Sequence, residues 1–279
     1  MSVTITVEEL RARSAADRPP VVLDVRWALG DPHGRDHYAE GHIPGAVYVD
    51  LDRELAASPG EDGGRHPLPD VADLQRAARR WGIGEDRSVV VYDDLGNTAA
   101  ARAWWLLRHA GVGEVTLLDG ALGAWRAAGL PLESGIPADP VPGDVVLRYG
   151  GLPVTDADGA AELAVSGLLL DARAAERFRG EVEPVDPRAG HIPGAVSAPT
   201  GENLAADGRF LPAGELRKRF EKKGAGAASV IGVYCGSGVT AAHQIAALEL
   251  AGFEAVLFPG SWSAWSADPD RPAAKGSRP

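Results

Sequence analysis

Residues 229–250 read SVIGVYCGSGVTAAHQIAALEL. A short run of β-branched residues, a turn that contains Gly236 and Gly238, and apolar residues at helical spacing predict a strand, a loop and a helix. The one cysteine of the chain, Cys235, falls where the strand ends and the loop begins. Main-chain N–H groups and the start of the helix favour an anion at such a position.

The position of Cys235 suits a nucleophilic thiolate. A free thiol has a pKa of about 8.5, so a nucleophile at neutral pH needs a pKa that is lower by roughly two units. One helix N-terminus and one or two N–H hydrogen bonds to the sulfur supply that free energy. Gly236 and Gly238 let the backbone approach the sulfur closely and turn through positive φ. The alternative is a small buried side chain that only packs.

The same pattern occurs earlier in the chain. The heptapeptide GHIPGAV stands at residues 41–47 and again at residues 190–196, and the strand-like run 88–92 matches 229–234. In both copies predicted strands alternate with predicted helices. This order predicts an α/β fold with two tandem domains, each a mostly parallel sheet flanked by helices.

The domain boundaries follow from the repeat and from the prolines. We predict a first domain over residues 1–135 and a second, catalytic domain over residues 153–272. The linker between them, residues 136–152, contains prolines and a Gly150–Gly151 pair that interrupt any periodicity. Residues 273–279 are expected to form a disordered tail.

The first copy carries Asp93 at the position of Cys235. A carboxylate is a poor nucleophile towards sulfur, and Asp94 beside it would repel an anionic substrate. We therefore expect the first domain to be catalytically silent. The alternative, phosphoryl transfer to an aspartate, lacks an evident set of metal ligands.

The composition limits the other functions. The net charge of −11 argues against non-specific binding of nucleic acid or of an anionic membrane surface. One cysteine excludes an internal disulfide framework and a multi-cysteine metal site, and favours the reducing cytoplasm. No cofactor and no metal are expected.

The tandem copies, the two GHIPGAV segments and the CGSGVT loop at 235–240 resemble the two-domain rhodanese-type sulfurtransferases over residues 5–270. The resemblance implies two rhodanese-like domains and a loop cysteine that carries a persulfide. The CGSGVT form is similar to the 3-mercaptopyruvate sulfurtransferases, whereas thiosulfate sulfurtransferases usually carry basic residues at the positions of Gly236 and Ser237.

The resemblance also implies site residues. Arg177 matches the arginine that binds the substrate, and Arg188 matches a second one. Ser237, His66 and Asp52 match a Ser–His–Asp arrangement that is shared between the domains, in which the serine would relay protons to the keto or enolate oxygen. The remaining candidates are the loop residues whose N–H groups would surround the persulfide, Gly236, Gly238, Val239 and Thr240.

The function expected from the sequence is transfer of sulfane sulfur from 3-mercaptopyruvate through a Cys235 persulfide to cyanide, a small thiol or thioredoxin. One alternative is thiosulfate as the donor. Another is a persulfide carrier that delivers sulfur to a protein partner. A phosphatase or arsenate reductase would need an arginine at the position of Ala241, which the chain lacks.

Overall fold

The computed structural model describes residues 2–60 and 64–278. The chain forms two compact units. Unit 1 comprises residues 1–57, 69–152 and 205–210, and unit 2 comprises residues 58–68, 153–204 and 211–279. Residues 58–68, which the sequence-based boundary places in the first domain, thus lie in unit 2.

Unit 1 is built around a five-stranded sheet with strand order β1-β5-β4-β2-β3. Every pair of neighbouring strands in it is parallel. Short strands of apolar residues that are buried on both faces are typical of a parallel sheet covered by helices. The elements are β1 (Thr4–Ile5), α1 (Val7–Ser14), β2 (Val21–Asp24), α2 (Gly34–Glu40), β3 (Val47–Tyr48), α3 (Leu51–Glu54), α4 (Val71–Arg80), β4 (Val89–Tyr92), α5 (Ala100–His109), β5 (Val115–Leu118) and α6 (Ala121–Ala127).

Unit 2 repeats this plan with a four-stranded parallel sheet of order β7-β6-β8-β9. The prediction of an α/β fold with two tandem parallel-sheet domains is confirmed. One strand is shorter than predicted. The strand expected over residues 229–234 begins only at Ile231. The elements are α7 (Ala157–Ser166), β6 (Leu168–Asp171), α8 (Ala175–Phe178), β7 (Val196–Ser197), a 3₁₀ turn (Thr200–Asn203), α9 (Ala213–Lys222), β8 (Ile231–Tyr234), α10 (Thr240–Leu250), β9 (Val256–Leu257) and α11 (Ser261–Ala267).

The two GHIPGAV segments pack in the same way in their respective units. The His42 ring stacks on Tyr38 with centroids 3.9 Å apart, and the His191 ring stacks on Phe178 at 3.7 Å. Each histidine also places Nδ1 within 2.9 Å of the carbonyl oxygen of the residue on which it stacks. Both histidines are fully buried and make the same contacts, which indicates a structural role for both.

Both the linker and the C-terminal tail make ordered contacts. In the linker, Val145 and Leu147 are buried, and the Leu147 N–H donates to the Gln75 side chain at 2.9 Å. In the tail, Ala274 and His191 exchange two main-chain hydrogen bonds of 2.9 Å. The Gly276 N–H also donates to a carbonyl of unit 2. The tail is thus hydrogen-bonded to unit 2 as far as Gly276.

Candidate active site

Cys235 follows β8 directly and precedes α10, as the sequence predicts. Its side chain is buried, and its sulfur accepts a hydrogen bond of 3.1 Å from the Gly238 N–H. Gly238 has φ +79°, a left-handed conformation that costs glycine little and other residues more. The glycine thus turns the loop so that an N–H points at the sulfur.

The backbone of Cys235 is fixed by the first residues of α11. Its N–H donates to the Ser261 hydroxyl at 3.1 Å, and its carbonyl accepts from the Trp262 N–H at 2.9 Å. Ser261 has φ +52°, an uncommon conformation for a residue other than glycine. Unit 1 repeats this feature, because Ala121 also has φ +52° and the following N–H donates to the Asp93 carbonyl at 2.9 Å.

The loop of unit 1 shows what its N–H groups bind. The carboxylate of Asp93, which is fully buried, accepts hydrogen bonds from four main-chain N–H groups. Their lengths are 2.8 Å from Leu95, 2.7 Å from Asn97, 2.8 Å from Ala99 and 3.1 Å from Ala100. Burial raises the pKa of Asp93, and these hydrogen bonds oppose that effect. This strand-loop-helix fold thus holds an anion through its backbone alone.

Ser237 and His66 are brought together in unit 2. The Ser237 hydroxyl lies 2.7 Å from His66 Nδ1, and both side chains are buried. The third candidate, Asp52, belongs to unit 1, where its carboxylate accepts a 3.1 Å hydrogen bond from the Trp27 indole. A serine hydroxyl bonded to an imidazole can pass a proton to or from a substrate oxygen.

Two arginine side chains lie over Gly236. A methyl group placed on this glycine would be 3.2 Å from Arg65 Nη2 and 3.4 Å from Arg177 Nη1. Burial and the charge of Arg177 lower the pKa of Arg65, while the negative charges of Cys235 and Glu183 oppose that shift. The two guanidinium groups therefore bring N–H donors to a loop that itself contains no basic residue.

Arg65 is the site residue that the sequence reasoning missed. It lies next to His66, which was already a candidate, and its main-chain N–H donates to Ser263 at 3.1 Å. The adjacency of a cation to a candidate catalytic histidine was the one available signal. Its significance depends on residues 58–68 lying in unit 2, which local sequence does not encode.

Arg188 occupies a different environment from Arg177. Its Nε donates to the Ser266 carbonyl and its Nη1 to the Arg271 carbonyl, both at 2.8 Å. Its Nη2 donates to the carbonyls of Trp265 and Asp268. The last carbonyls of a helix lack partners within the helix, so Arg188 satisfies the end of α11. This arrangement favours a structural role over the predicted contact with substrate.

The other loop candidates line the turn. Val239 is buried, and Thr240 is the first residue of α10. Among the residues that the structure describes, no group of three or more histidine, cysteine, aspartate or glutamate side chains could hold a metal ion. In the same residues no helix is long and apolar enough to cross a membrane.

Comparison with known proteins identifies a matching family and several similar chains. A family model described as a rhodanese-like domain matches the chain twice, over residues 6–128 and 156–268. A Mycobacterium tuberculosis protein named as a thiosulfate sulfurtransferase, SseB, is 48% identical over 279 residues, which cover 99% of this chain and 98% of the relative.

Other relatives carry a different donor in their names. A Pseudomonas aeruginosa protein named as a 3-mercaptopyruvate sulfurtransferase is 50% identical over 281 residues, which cover 98% of each chain. The crystal structure of SseA from Escherichia coli, presented with the rhodanese fold of the 3-mercaptopyruvate enzymes, is similar with a TM-score of 0.83. It is 31% identical and covers 94% of this chain and 100% of its own.

Proposed function

We propose, since this chain belongs to the rhodanese-like sulfurtransferases, that Cys235 takes sulfane sulfur from 3-mercaptopyruvate and passes it to a thiophilic acceptor. The observation that carries the choice of donor is the pair of guanidinium groups beside Gly236. In this proposal Arg65 Nη2 and Arg177 Nη1 donate hydrogen bonds to the carboxylate of 3-mercaptopyruvate. The Ser237 hydroxyl is available to its keto oxygen.

The reaction we propose forms one S–S bond and breaks one C–S bond. The Cys235 thiolate attacks the donor sulfur, and the electron pair of the C–S bond leaves on the carbon, which gives the enolate of pyruvate. Ser237, bonded to His66, donates to the developing enolate oxygen. The proton of the donor thiol ends on pyruvate, and Cys235 is left as a persulfide anion.

The Asp93 loop supports a persulfide at Cys235. A persulfide places its outer sulfur two atoms beyond Cβ, at the same bond count as a carboxylate oxygen of aspartate. In unit 1 that atom is bound by the N–H groups of residues 95, 97, 99 and 100. By the repeat, the corresponding residues in unit 2 are 237, 239, 241 and 242. We propose that these groups, together with Gly238, stabilise the persulfide anion.

The remaining proposals concern the surroundings of the reaction. Asp52 would orient His66, by the resemblance stated above. Cyanide, a small thiol or thioredoxin would accept the sulfur, and the single cysteine favours the cytoplasm. Thiosulfate is the second candidate donor, because the relative SseB is named for that activity.

The test of the donor is a comparison of kcat/KM for 3-mercaptopyruvate and thiosulfate with cyanide as the acceptor. We expect the wild type to prefer 3-mercaptopyruvate. Replacing Arg177 with glutamine should raise KM for this donor about 10- to 100-fold, the value of one lost charged hydrogen bond, with a smaller change in kcat. Arg179→Gln is the matched control, because the Arg179 side chain is 36% exposed and pairs with Glu181. A wild-type preference for thiosulfate would overturn the choice of donor.

Removal of the Ser237 hydroxyl should affect one donor only. We expect Ser237→Ala to lower kcat with 3-mercaptopyruvate about 10- to 100-fold, because enolate formation loses its proton donor. Persulfide formation from thiosulfate should change little, since sulfite leaves without a proton. His66→Ala should have a similar effect, and the double variant should be no worse than either single one. Equal losses with both donors would instead indicate a structural role.

A further inference from the structure

In unit 2, acids and arginines alternate in a series of ion pairs that leads to the two arginines over Gly236. Asp171 pairs with Arg173 at 2.7 Å, and Arg173 Nη1 lies 3.4 Å from Glu183. Glu183 pairs with Arg177 at 2.7 Å. The chain continues with a 3.1 Å contact from Arg177 Nη2 to Asp186 Oδ2, and it ends with Arg65 Nη1 on Asp186 Oδ1.

The two acids next to the loop are buried and fixed. The side chains of Glu183 and Asp186 are 4% and 2% exposed. Glu183 Oε1 also accepts hydrogen bonds from the N–H groups of Val185 and Asp186, at 3.2 and 3.1 Å. These contacts hold the two acids in place when no sulfur donor is bound. Their negative charge therefore acts on any ligand that binds beside the arginines.

Each arginine has one end on an acid and the other end towards the loop. Arg177 uses Nη2 for Glu183 and Asp186, and Arg65 uses Nη1 for Asp186. The opposite nitrogens, Arg177 Nη1 and Arg65 Nη2, are the ones nearest to Gly236. Within residues 2–60 and 64–278, both Nε atoms are buried and have no hydrogen-bond partner. N–H groups are thus presented to the loop while the acids cancel the positive charge behind them.

We propose that Glu183 and Asp186 set the net charge of the donor site and thereby select a donor with one negative charge over a donor with two. This inference rests on the proposed sulfur transfer at Cys235. Two acids balance Arg65 and Arg177, and Asp171 balances Arg173, so the free site carries hydrogen-bond donors but no excess of positive charge. A single carboxylate is satisfied by the two Nη groups. The second charge of thiosulfate would face the Cys235 thiolate without a cation to offset it.

The matching amides test this charge effect, because they keep the shape and an oxygen acceptor for the arginines. For Asp186→Asn and for Glu183→Gln we expect the ratio of kcat/KM for thiosulfate to that for 3-mercaptopyruvate to rise about tenfold. Asp186→Glu keeps the charge and should keep the wild-type ratio. Glu181→Gln is the matched control, since it removes an acid of the same segment whose side chain is 55% exposed.

A second measurement does not depend on the donor. Iodoacetate and iodoacetamide both alkylate Cys235 and are similar in size, but only iodoacetate is charged, so a change between variants in the ratio of the iodoacetate rate to the iodoacetamide rate reports a change in the charge of the site. The ratio of the iodoacetate rate to the iodoacetamide rate should rise about tenfold in both amide variants and stay at the wild-type value in Glu181→Gln. Unchanged or lower ratios in both amide variants, with Tm as in the wild type, would overturn the proposal. A wild type that uses no 3-mercaptopyruvate would overturn the proposed donor instead, and the alkylation ratios would still decide the charge effect.

Discussion

Replacement of Cys235 by serine is expected to lower kcat/KM for sulfur transfer by at least about 10⁴-fold, or roughly 5.5 kcal/mol in activation free energy. A serine hydroxyl stays protonated at neutral pH and does not form a persulfide. No other residue of the chain replaces the lost thiol, because the sequence contains one cysteine. Pyruvate release from 3-mercaptopyruvate and thiocyanate formation from cyanide measure the two half-reactions.

The serine variant should keep its fold. Its hydroxyl can accept the hydrogen bond that the Gly238 N–H now donates to sulfur. We therefore expect a Tm close to that of the wild type and an unchanged circular dichroism spectrum. Mass spectrometry after incubation with the donor alone should show one added sulfur atom on the wild type and none on the variant. Sulfur transfer at a wild-type rate by the folded variant would disprove the role of Cys235.

Replacement of Asp93 by asparagine is expected to destabilise unit 1 by about 3 kcal/mol or more. The buried carboxylate accepts four N–H hydrogen bonds, two on each oxygen. An amide offers one oxygen, so its NH₂ group would face two N–H donors that then lack an acceptor. Hydrogen bonds to a charged group contribute about 1.5–3 kcal/mol each, and unsatisfied buried donors cost about 1–3 kcal/mol.

Differential scanning calorimetry of the full chain measures this loss of stability as a decrease in Tm. For a unit of this size the loss corresponds to a decrease in Tm of about 10 °C. Asp94→Asn is the matched control, because the side chain of Asp94 is 33% exposed and lies 3.6 Å from Arg26. Arg26 keeps its buried 2.7 Å pair with Asp24 when Asp94 is neutral, so the Asp94→Asn variant should unfold close to the wild-type temperature. Equal stabilities of the two variants would contradict the role assigned to Asp93.

The fold and the position of Cys235 were accessible from sequence because they depend on local pattern. Strand-like runs, glycine turns and the duplicated GHIPGAV segment repeat in order, and each copy constrains the interpretation of the other. The left-handed glycine of the loop, Gly238 in one copy and Gly96 in the other, has φ +79° and +70° as the turn requires. Such features arise within a few residues and need no knowledge of distant contacts.

The surroundings of the thiol were less accessible because they depend on contacts between distant segments. Arg65 and His66 are each 171 residues from the loop residue that they approach, and no local pattern encodes which sheet this segment joins. For Arg188 the local motif suggested a substrate contact that the fold does not support. A cation in a matching motif predicts an anion site, but the unpaired carbonyls at the end of α11 bind the same guanidinium group. Only the fold determines which of the two the side chain meets.

The four N–H groups around Asp93 show that holding an anion and recruiting a sulfur donor are separate tasks. Unit 1 can hold an anion, but it has no cation at the position that corresponds to Arg177. The residues after Arg26 are Trp27–Gly30, and none of them is basic. A cysteine engineered at position 93 would therefore gain a site for a persulfide without a means of loading it from a small anion. We expect such a thiol to acquire sulfur only from another persulfide, as a reservoir within the chain rather than a second catalyst.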